Sequence, residues 1–174
     1  AQTHLVFAAP TVPHAHADRY ALVLLSQALG GGMSSRLFQR VREELGLAYA
    51  IYAFHSFYRA AGVFGVYVGT RPATADTARE VVEREVARLV AEGLEPGEFR
   101  QVKEQVQGQM VLAMESTGAR LHRLAGYALR DEEIRPMDAV LADVDALTLE
   151  GVNAVAAEYL PLERQYLLSL GPSR

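Results

Sequence analysis

Histidine is the residue type in this sequence best suited to hold a metal ion, and the chain contains five of them. His14 and His16 are two residues apart in a proline-containing loop, whereas His4, His55 and His122 are scattered. A catalytic zinc site usually takes three protein ligands and keeps one open position. The helical patterns His-Glu-x-x-His and His-x-x-Glu-His, which supply two such ligands, are both absent. We therefore predict ordinary surface or partly buried histidines and assign no metal to this chain.

Nucleotide binding and nucleophilic catalysis also lack their sequence patterns. The run 30–32 is three glycines after a predicted helix, whereas a phosphate loop follows a strand and ends in Gly-Lys-Ser/Thr. The run is better explained as a helix end and a turn, although the N–H groups of the next helix stay available to a ligand. The Gly-x-Ser-x-Gly pattern of a nucleophilic serine is missing as well. No cofactor is assigned to this chain.

Arginines and glutamates alternate along the segment after the glycine run. Arg36, Arg40 and Arg42 offer the positive charge of a phosphate site, but they flank Glu43 and Glu44 on a predicted helix. Side chains three or four residues apart on a helix are neighbours, so ion pairing is the simplest explanation. A solvated helix face is favoured over a phosphate site.

Composition excludes several classes of protein. Half of the 174 residues are hydrophobic and 22% are charged, which is typical of one ordinary folded domain spanning 1–174 and argues against disorder. Lysine and arginine total 17 against 21 acidic residues, so the net charge of −4 does not favour nucleic acid or an anionic membrane. The absence of cysteine excludes disulfides and thiolate metal sites.

Targeting signals are not visible in the sequence. The longest apolar run covers six residues, 20–25, well short of the roughly 20 that a membrane span needs. The chain opens with Ala-Gln-Thr-His and enters a strand-like run at once, so we expect it to be part of a longer polypeptide. We expect a soluble protein, cytoplasmic or periplasmic if bacterial, and the compartment stays open.

The first 70 residues predict strands and two helices. A strand at 4–8 is followed by Pro10 and Pro13 and by a helix at about 16–29. Ser34 or Ser35 is placed to cap a second helix. Its predicted apolar face is Leu37, Phe38, Val41 and Leu45. From 48 to 69 the tyrosines, phenylalanines and β-branched residues predict two antiparallel strands with a turn at 59–60.

The remaining hundred residues are predicted to be mostly helical. Apolar stripes begin at Ala78 and Phe99, the second in a helix opened by Pro96. Shorter helices follow near 121–128, 136–143 and 148–159, the last with Thr148 as its N-cap, and 166–170 reads as a closing strand. Hairpin strands followed by helices predict an α+β fold, with helices packed on one face of an antiparallel sheet.

One continuous segment carries more information than its separate motifs. Residues 30–49 read GGGMSSRLFQRVREELGLAY, and residues 64–70 read FGVYVGT. Together they resemble the carboxy-terminal domain of the pitrilysin/insulinase family of zinc peptidases, which includes mitochondrial processing peptidase. The resemblance spans essentially the whole chain and is most specific between residues 30 and 70. It implies one half of a clamshell metallopeptidase.

The resemblance also implies a site and a partner. In this family the amino-terminal half carries zinc on His-x-x-Glu-His, and the other half contributes an arginine and a tyrosine to the same chamber. By residue match these are Arg42 and Tyr49, implied to bind substrate and stabilise the transition state. A turn through Gly46 would let the two side chains point at one place. Zinc is expected on a partner domain in cis or trans, in a dimeric or pseudo-dimeric assembly, with a peptide as substrate.

Two other functions remain possible from the sequence. The chain alone is predicted to be inactive because it lacks the zinc motif, so it could instead be a structural or assembly subunit of the same fold. A third possibility is a stand-alone peptide-binding module, although half of a chamber buries little ligand surface. Without the resemblance, pairing of Arg42 with a nearby carboxylate and packing of Tyr49 in the sheet would be the favoured explanation.

Overall fold

A computed structural model of the chain describes residues 2–172 and contains a four-stranded antiparallel sheet. The strands are β1 (Thr3–Thr11), β2 (Ala48–Phe57), β3 (Gly62–Thr70) and β4 (Tyr166–Leu170), in the spatial order β2-β3-β1-β4. Each neighbouring pair is antiparallel, and the predicted hairpin of β2 and β3 is confirmed. β2 and β4 form the two edges.

Helices occupy most of the chain between the strands. They are α1 (Arg19–Gly30), a π-helix (Phe38–Glu44), α2 (Ala75–Glu92), α3 (Pro96–Ala113), α4 (Thr117–Arg130), α5 (Met137–Asp145) and α6 (Leu149–Tyr159), with short 3₁₀ turns at Pro72–Thr74 and Leu162–Arg164. The start of α3 at Pro96 and the cap of α6 by Thr148, whose hydroxyl accepts from the N–H of Gly151, are as predicted.

The sheet buries one face under the helices. Along β1 the side chains alternate between buried and partly exposed, and Leu5 and Phe7 lie on the buried face. Their cross-strand partners Val68 and Val66 extend this face into β3. Five leucines of α1 and α2 complete the core and are fully buried: Leu22, Leu24, Leu25, Leu29 and Leu89. The predicted α+β class, with helices on one face of the sheet, is confirmed.

The contact between α1 and β2 depends on a residue without a side chain. Gly30 is the last residue of α1, and a Cβ built there would lie 2.2 Å from the backbone nitrogen of Ala53. No side chain fits such a distance, so the helix can approach the strand this closely only with glycine. The predicted helix end at the glycine run is confirmed, and close packing is its additional role.

The second predicted helix differs from the sequence expectation. It is wound as a π-helix, whose wider i→i+5 hydrogen bonding is rare in proteins and is frequently found at functional sites. Leu37 and Val41 are fully buried as predicted, but Leu45 lies past the helix end and is 42% exposed. The hydroxyl of Ser35 donates backwards to the carbonyl of Gly32 and does not cap the helix. An α-helical period therefore assigned Leu45 to the wrong environment.

The first strand is longer than predicted because it continues through a proline. Pro10 pairs with Val63 of β3, while pairing with β4 ends at Ala8. At residue 10, β1 therefore has a neighbouring strand on one side only. A strand tolerates proline where the missing N–H would face no other strand. Among residues 2–172, none of the helices combines the length and apolarity that crossing a membrane requires.

Candidate functional site

Arg42 and Tyr49, the two site residues predicted from the sequence, lie on one connection between two elements. Arg42 is in the last turn of the π-helix and Tyr49 is the second residue of β2. Between them Gly46 has φ +59°, a left-handed conformation that glycine adopts without strain. The expected helix end, glycine turn and strand start are all present. Both side chains are exposed.

Arg42 differs from the other two arginines of its segment. Arg36 forms an ion pair with Glu98, and Arg40 forms one with Glu44. The guanidinium of Arg42 instead stacks on the ring of Phe38, with its Cζ 4.8 Å from the ring centroid. Within residues 2–172 no carboxylate lies within ion-pairing distance of it. Its N–H donors are therefore available to an external acceptor such as a carbonyl or an oxyanion.

Tyr49 occupies an irregular position in the sheet. Ala48 pairs with Thr70 and Ala50 pairs with Gly69, so Tyr49 is an extra residue without a cross-strand partner. Such bulges redirect a side chain and are frequent beside functional sites. The tyrosine is 59% exposed, so it does not pack in the sheet as the simpler explanation required. Sequence reasoning missed the bulge.

Two polar contacts hold the segment that carries both residues. At its start the guanidinium of Arg36 donates to both carboxylate oxygens of Glu98, at 2.7 and 2.6 Å, and to the carbonyl of Gly93 at 2.8 Å. At its end the hydroxyl of Thr70, which is fully buried, donates to the carbonyl of Leu47. Together with buried Val41, these contacts fix the backbone on either side of Arg42.

The strand that carries Tyr49, β2, has an unpaired edge and a face that the helices do not cover. β2 is an edge strand, so its outward N–H and C=O groups have no strand partner among the described residues. On the face of the sheet away from the helices, Tyr52 is cross-strand from Tyr67 and their rings stack at 5.0 Å. Phe54 continues this aromatic row along β2. An extended peptide could pair with the free edge and place its side chains against these rings.

The predicted histidines do not gather into a metal site. Within residues 2–172 no group of three or more histidine, aspartate or glutamate side chains is arranged to hold a metal ion. His14 instead contacts Glu132, with Nδ1 2.6 Å from the carboxylate, and Arg130, whose Nη2 lies 3.0 Å from Nε2. Burial and the nearby Arg19 lower the pKa of His14, against the opposing effect of Glu132. The imidazole is therefore neutral near pH 7, and its Nδ1 lies within hydrogen-bonding distance of both Glu132 and Nη1 of Arg19, the latter at 2.8 Å.

Comparison of structures defines the class of protein. The fold matches the crystal structure of a peptidase M16 inactive domain from Pseudomonas fluorescens with a TM-score of 0.87, at 24% identity, over 99% of this chain and 42% of that one. The α+β half of a clamshell metallopeptidase is thus the architecture of this chain. The chain belongs to the family described as "Peptidase M16 inactive domain", whose sequence profile matches residues 1–106.

Sequence relatives support the same assignment. An uncharacterized zinc protease of Streptomyces coelicolor is 37% identical over 171 residues, covering 98% of this chain and 37% of the relative. The uncharacterized zinc protease YmxG of Bacillus subtilis is 34% identical over 172 residues, covering 99% and 42%. The chain therefore spans about two fifths of the length of these relatives. The resemblance found in the sequence is confirmed.

Proposed function

We propose that this chain is the substrate-binding and transition-state-stabilising half of a zinc-dependent endopeptidase. It would work with a second domain, in the same polypeptide or another, that carries the His-x-x-Glu-His zinc motif. The relatives named zinc proteases support this proposal, since each is more than twice as long as this chain. We further propose that residues 1–174 form a single domain within that assembly.

The carrying observation is the availability of Arg42 and Tyr49. Neither side chain is paired or buried within the domain. The guanidinium has no carboxylate partner among residues 2–172, and the tyrosine projects from a bulge. Groups that only stabilised the domain would be paired or packed. Because both are exposed on one short connection, they are placed to bind a molecule outside this chain.

The chemistry follows from their donors. Zinc on the partner would polarise the scissile carbonyl and activate water. On this chain, the phenol O–H of Tyr49 and the guanidinium of Arg42 would donate hydrogen bonds to the tetrahedral oxyanion or to an adjacent peptide carbonyl. The free edge of β2 would hold the peptide extended by backbone pairing, so that the scissile bond is presented in one register.

A reconstitution experiment tests the proposal. The chain is mixed with the zinc-bearing half of its parent protein, and cleavage of a fluorogenic peptide is measured for the wild type, Arg42→Ala and Tyr49→Phe. Loss of one oxyanion donor typically lowers kcat by about 10²–10³-fold, which we expect for each variant. Arg40→Ala is the matched control: Arg40 lies two residues before Arg42, but its guanidinium pairs with Glu44, so its loss should leave kcat unchanged.

The result also separates the alternative functions. If Arg42→Ala and Tyr49→Phe retain full kcat in an active mixture, the assigned roles are wrong. If the zinc-bearing half and this chain assemble but cleave no peptide, a structural or assembly subunit becomes the better explanation. Peptide binding by this chain alone, with no partner present, would instead favour the stand-alone binding module.

A further inference from the structure

A cavity of about 340 Å³ lies away from the Arg42 connection. It is open to solvent and is lined by the start of α1, the last residues of β2, the end of α3, and parts of α4 and α5. Much of its wall is apolar, formed by residues such as Val23, Phe57, Met110 and Met137. The rest is cationic or neutral: three arginines contribute, and no carboxylate is among the lining residues that the structure describes.

Arg19 is the most unusual of these arginines because it is buried with no carboxylate in direct contact, although it helps to lower the pKa of the more distant Asp143. Its side chain is only 6% exposed. It donates to the carbonyl oxygen of His14 and to the hydroxyl of Tyr20, and its Cζ lies 4.4 Å from the centre of the Tyr20 ring. No carboxylate of residues 2–172 lies within 4 Å of it. Burying a charged group without an opposite charge is costly, so this guanidinium favours an anion beside it.

The surrounding groups compensate the positive charge only in part. Arg123 donates to the carbonyl of Arg135 and stacks over Tyr127 at 5.3 Å, again without a carboxylate within 4 Å among the described residues. Arg130 alone has an acidic partner, Glu132, at 3.5 Å. Glu132 also accepts from His14, which is neutral. The cavity wall therefore holds three guanidinium groups, and Glu132, which lies outside the wall, is the one carboxylate within 4 Å of any of them among residues 2–172.

A second observation concerns an unpartnered polar atom at the same wall. Nδ1 of His55 is buried and has no hydrogen-bond partner among the residues that the structure describes. His55 lines the cavity from the second half of β2, and burial lowers its pKa, so the ring is neutral near pH 7. Buried polar atoms in native proteins are nearly always paired. The atom itself is shielded from the cavity, so it marks a polar position behind the wall that a ligand reaches only if the ring turns.

We propose that this cavity binds a small monocarboxylate with an apolar tail. The carboxylate pairs with Arg19, supported by the nearby positive charge of Arg123, and the tail fills the part lined by Val23, Phe57 and Met110. A guanidinium fork matches a planar carboxylate by two parallel hydrogen bonds. The apolar wall gives a multiply charged inorganic anion few partners, which favours a carboxylate with a hydrocarbon part. This proposal does not depend on the peptidase role of Arg42 and Tyr49.

Ligand pairs test the proposal without altering the protein. Isothermal titration of the 174-residue chain with octanoate should give one site, and octylamine, its cationic counterpart, should bind at least tenfold more weakly. Inorganic phosphate should also bind at least tenfold more weakly than octanoate. Equal binding of octanoate and octylamine would mean that the apolar tail alone determines affinity. Phosphate binding as tightly as octanoate would mean that the tail does not contribute to affinity. Either result overturns the proposal, as does octanoate binding weaker than a dissociation constant of about 1 mM, which corresponds to about −4 kcal/mol.

Variants then locate the site. Arg19→Gln should weaken octanoate binding at least tenfold, and its melting temperature shows whether the lost contacts to His14 and Tyr20 have unfolded it. Arg123→Gln removes a charge without touching those contacts and should weaken binding several-fold. Met110→Trp fills the cavity at constant charge and should abolish binding. The matched control is Arg120→Gln. Arg120 is an exposed arginine of α4, the helix that also carries Arg123, and it does not line the cavity. Unchanged octanoate affinity in folded Arg123→Gln and Met110→Trp would place the ligand elsewhere and refute the site.

Discussion

The ion pair between Arg36 and Glu98 should be a principal support of the Arg42 segment, and Arg36→Met tests it in this chain alone. The pair joins the residue two positions before the π-helix to the first turn of α3, 62 residues later in the sequence. Its geometry is bidentate, and the same guanidinium also donates to the carbonyl of Gly93. Methionine keeps the length of the side chain but removes every donor. The perturbation is therefore the loss of polar contacts, with little change in volume.

The size of the effect follows from the burial of the pair. Exposed ion pairs contribute about 0.2–1 kcal/mol, whereas breaking a fully buried pair costs about 3–5 kcal/mol. The Arg36 and Glu98 side chains are 16% and 26% exposed, which places this pair between the two limits. We expect Arg36→Met to lower the free energy of unfolding by about 2 kcal/mol, interpolated between those limits. For a domain of this size, that corresponds to a fall in Tm of about 4–8 °C.

Urea denaturation of four proteins measures the pair itself. They are the wild type, Arg36→Met, Glu98→Gln and the double variant, and glutamine keeps an oxygen that can accept from the N–H of Glu95 at the start of α3. The double-mutant cycle should give a coupling of about 1–2 kcal/mol, within the range found for contacting residues. Arg40→Met is the matched control: it breaks an exposed pair four residues apart and should cost only about 0.3–0.5 kcal/mol. A coupling near zero, or equal losses for Arg36→Met and Arg40→Met, would refute the reasoning.

Three further substitutions follow from local geometry and charge. Gly46→Ala should cost about 1 kcal/mol, because φ is +59° and no atom lies within 4 Å of the added Cβ, so only backbone strain opposes it; Gly46→Asn should cost less in the same urea titration. Gly30→Ala should lower the free energy of unfolding by more than about 2 kcal/mol through its clash with Ala53. Gly108→Ala, in open space on α3, should instead raise it by about 0.5–1 kcal/mol. Equal effects would contradict the close approach of α1 to β2. Burial lowers the pKa of His55 below 6.5, so the unfolded chain binds the proton more readily and stability should fall as the pH drops below about 6.5. His55→Phe should reduce this fall in Tm between pH 7.5 and 5.5, and an unchanged slope would show that His55 is not the group responsible.

The sequence predicted the elements whose signals are local. The hairpin followed from the β-rich composition of 48–69 and the pause at 59–60, and the start of α6 followed from Thr148, whose cap depends on a residue three positions away. The π-helix was missed because the buried residues Leu37, directly before it, and Val41, within it, also fit an α-helix. Only Leu45, exposed past the helix end, distinguishes the two windings, and no residue type marks that difference.

The surroundings of the candidate site depend on contacts that sequence patterns do not carry. The partners of Arg36 and Thr70 lie 62 and 23 residues away, so neither support could be inferred from spacing. The cluster at His14 is similar, since its acidic partner Glu132 is 118 residues distant. The bulge at Tyr49 had one indirect signal, the glycine at position 69 opposite it, but several glycines of β3 share that character. Arg42 and Tyr49 themselves came from family resemblance, because their residue types alone favoured ordinary pairing and packing.

The residues that hold the segment in place differ from Arg42 and Tyr49, the two exposed residues that it carries. The segment is held by Arg36, Val41 and Thr70, which are buried or partly buried, while Arg42 and Tyr49 project from it and contribute little to the fold. Substituting either exposed residue should change stability by no more than about 1 kcal/mol, the value of an exposed cation–π contact. A large loss of activity at unchanged Tm would then report the chemistry of the donor. Loss of activity through Arg36 or Thr70 would instead come with a lower Tm, because those residues act by positioning the backbone.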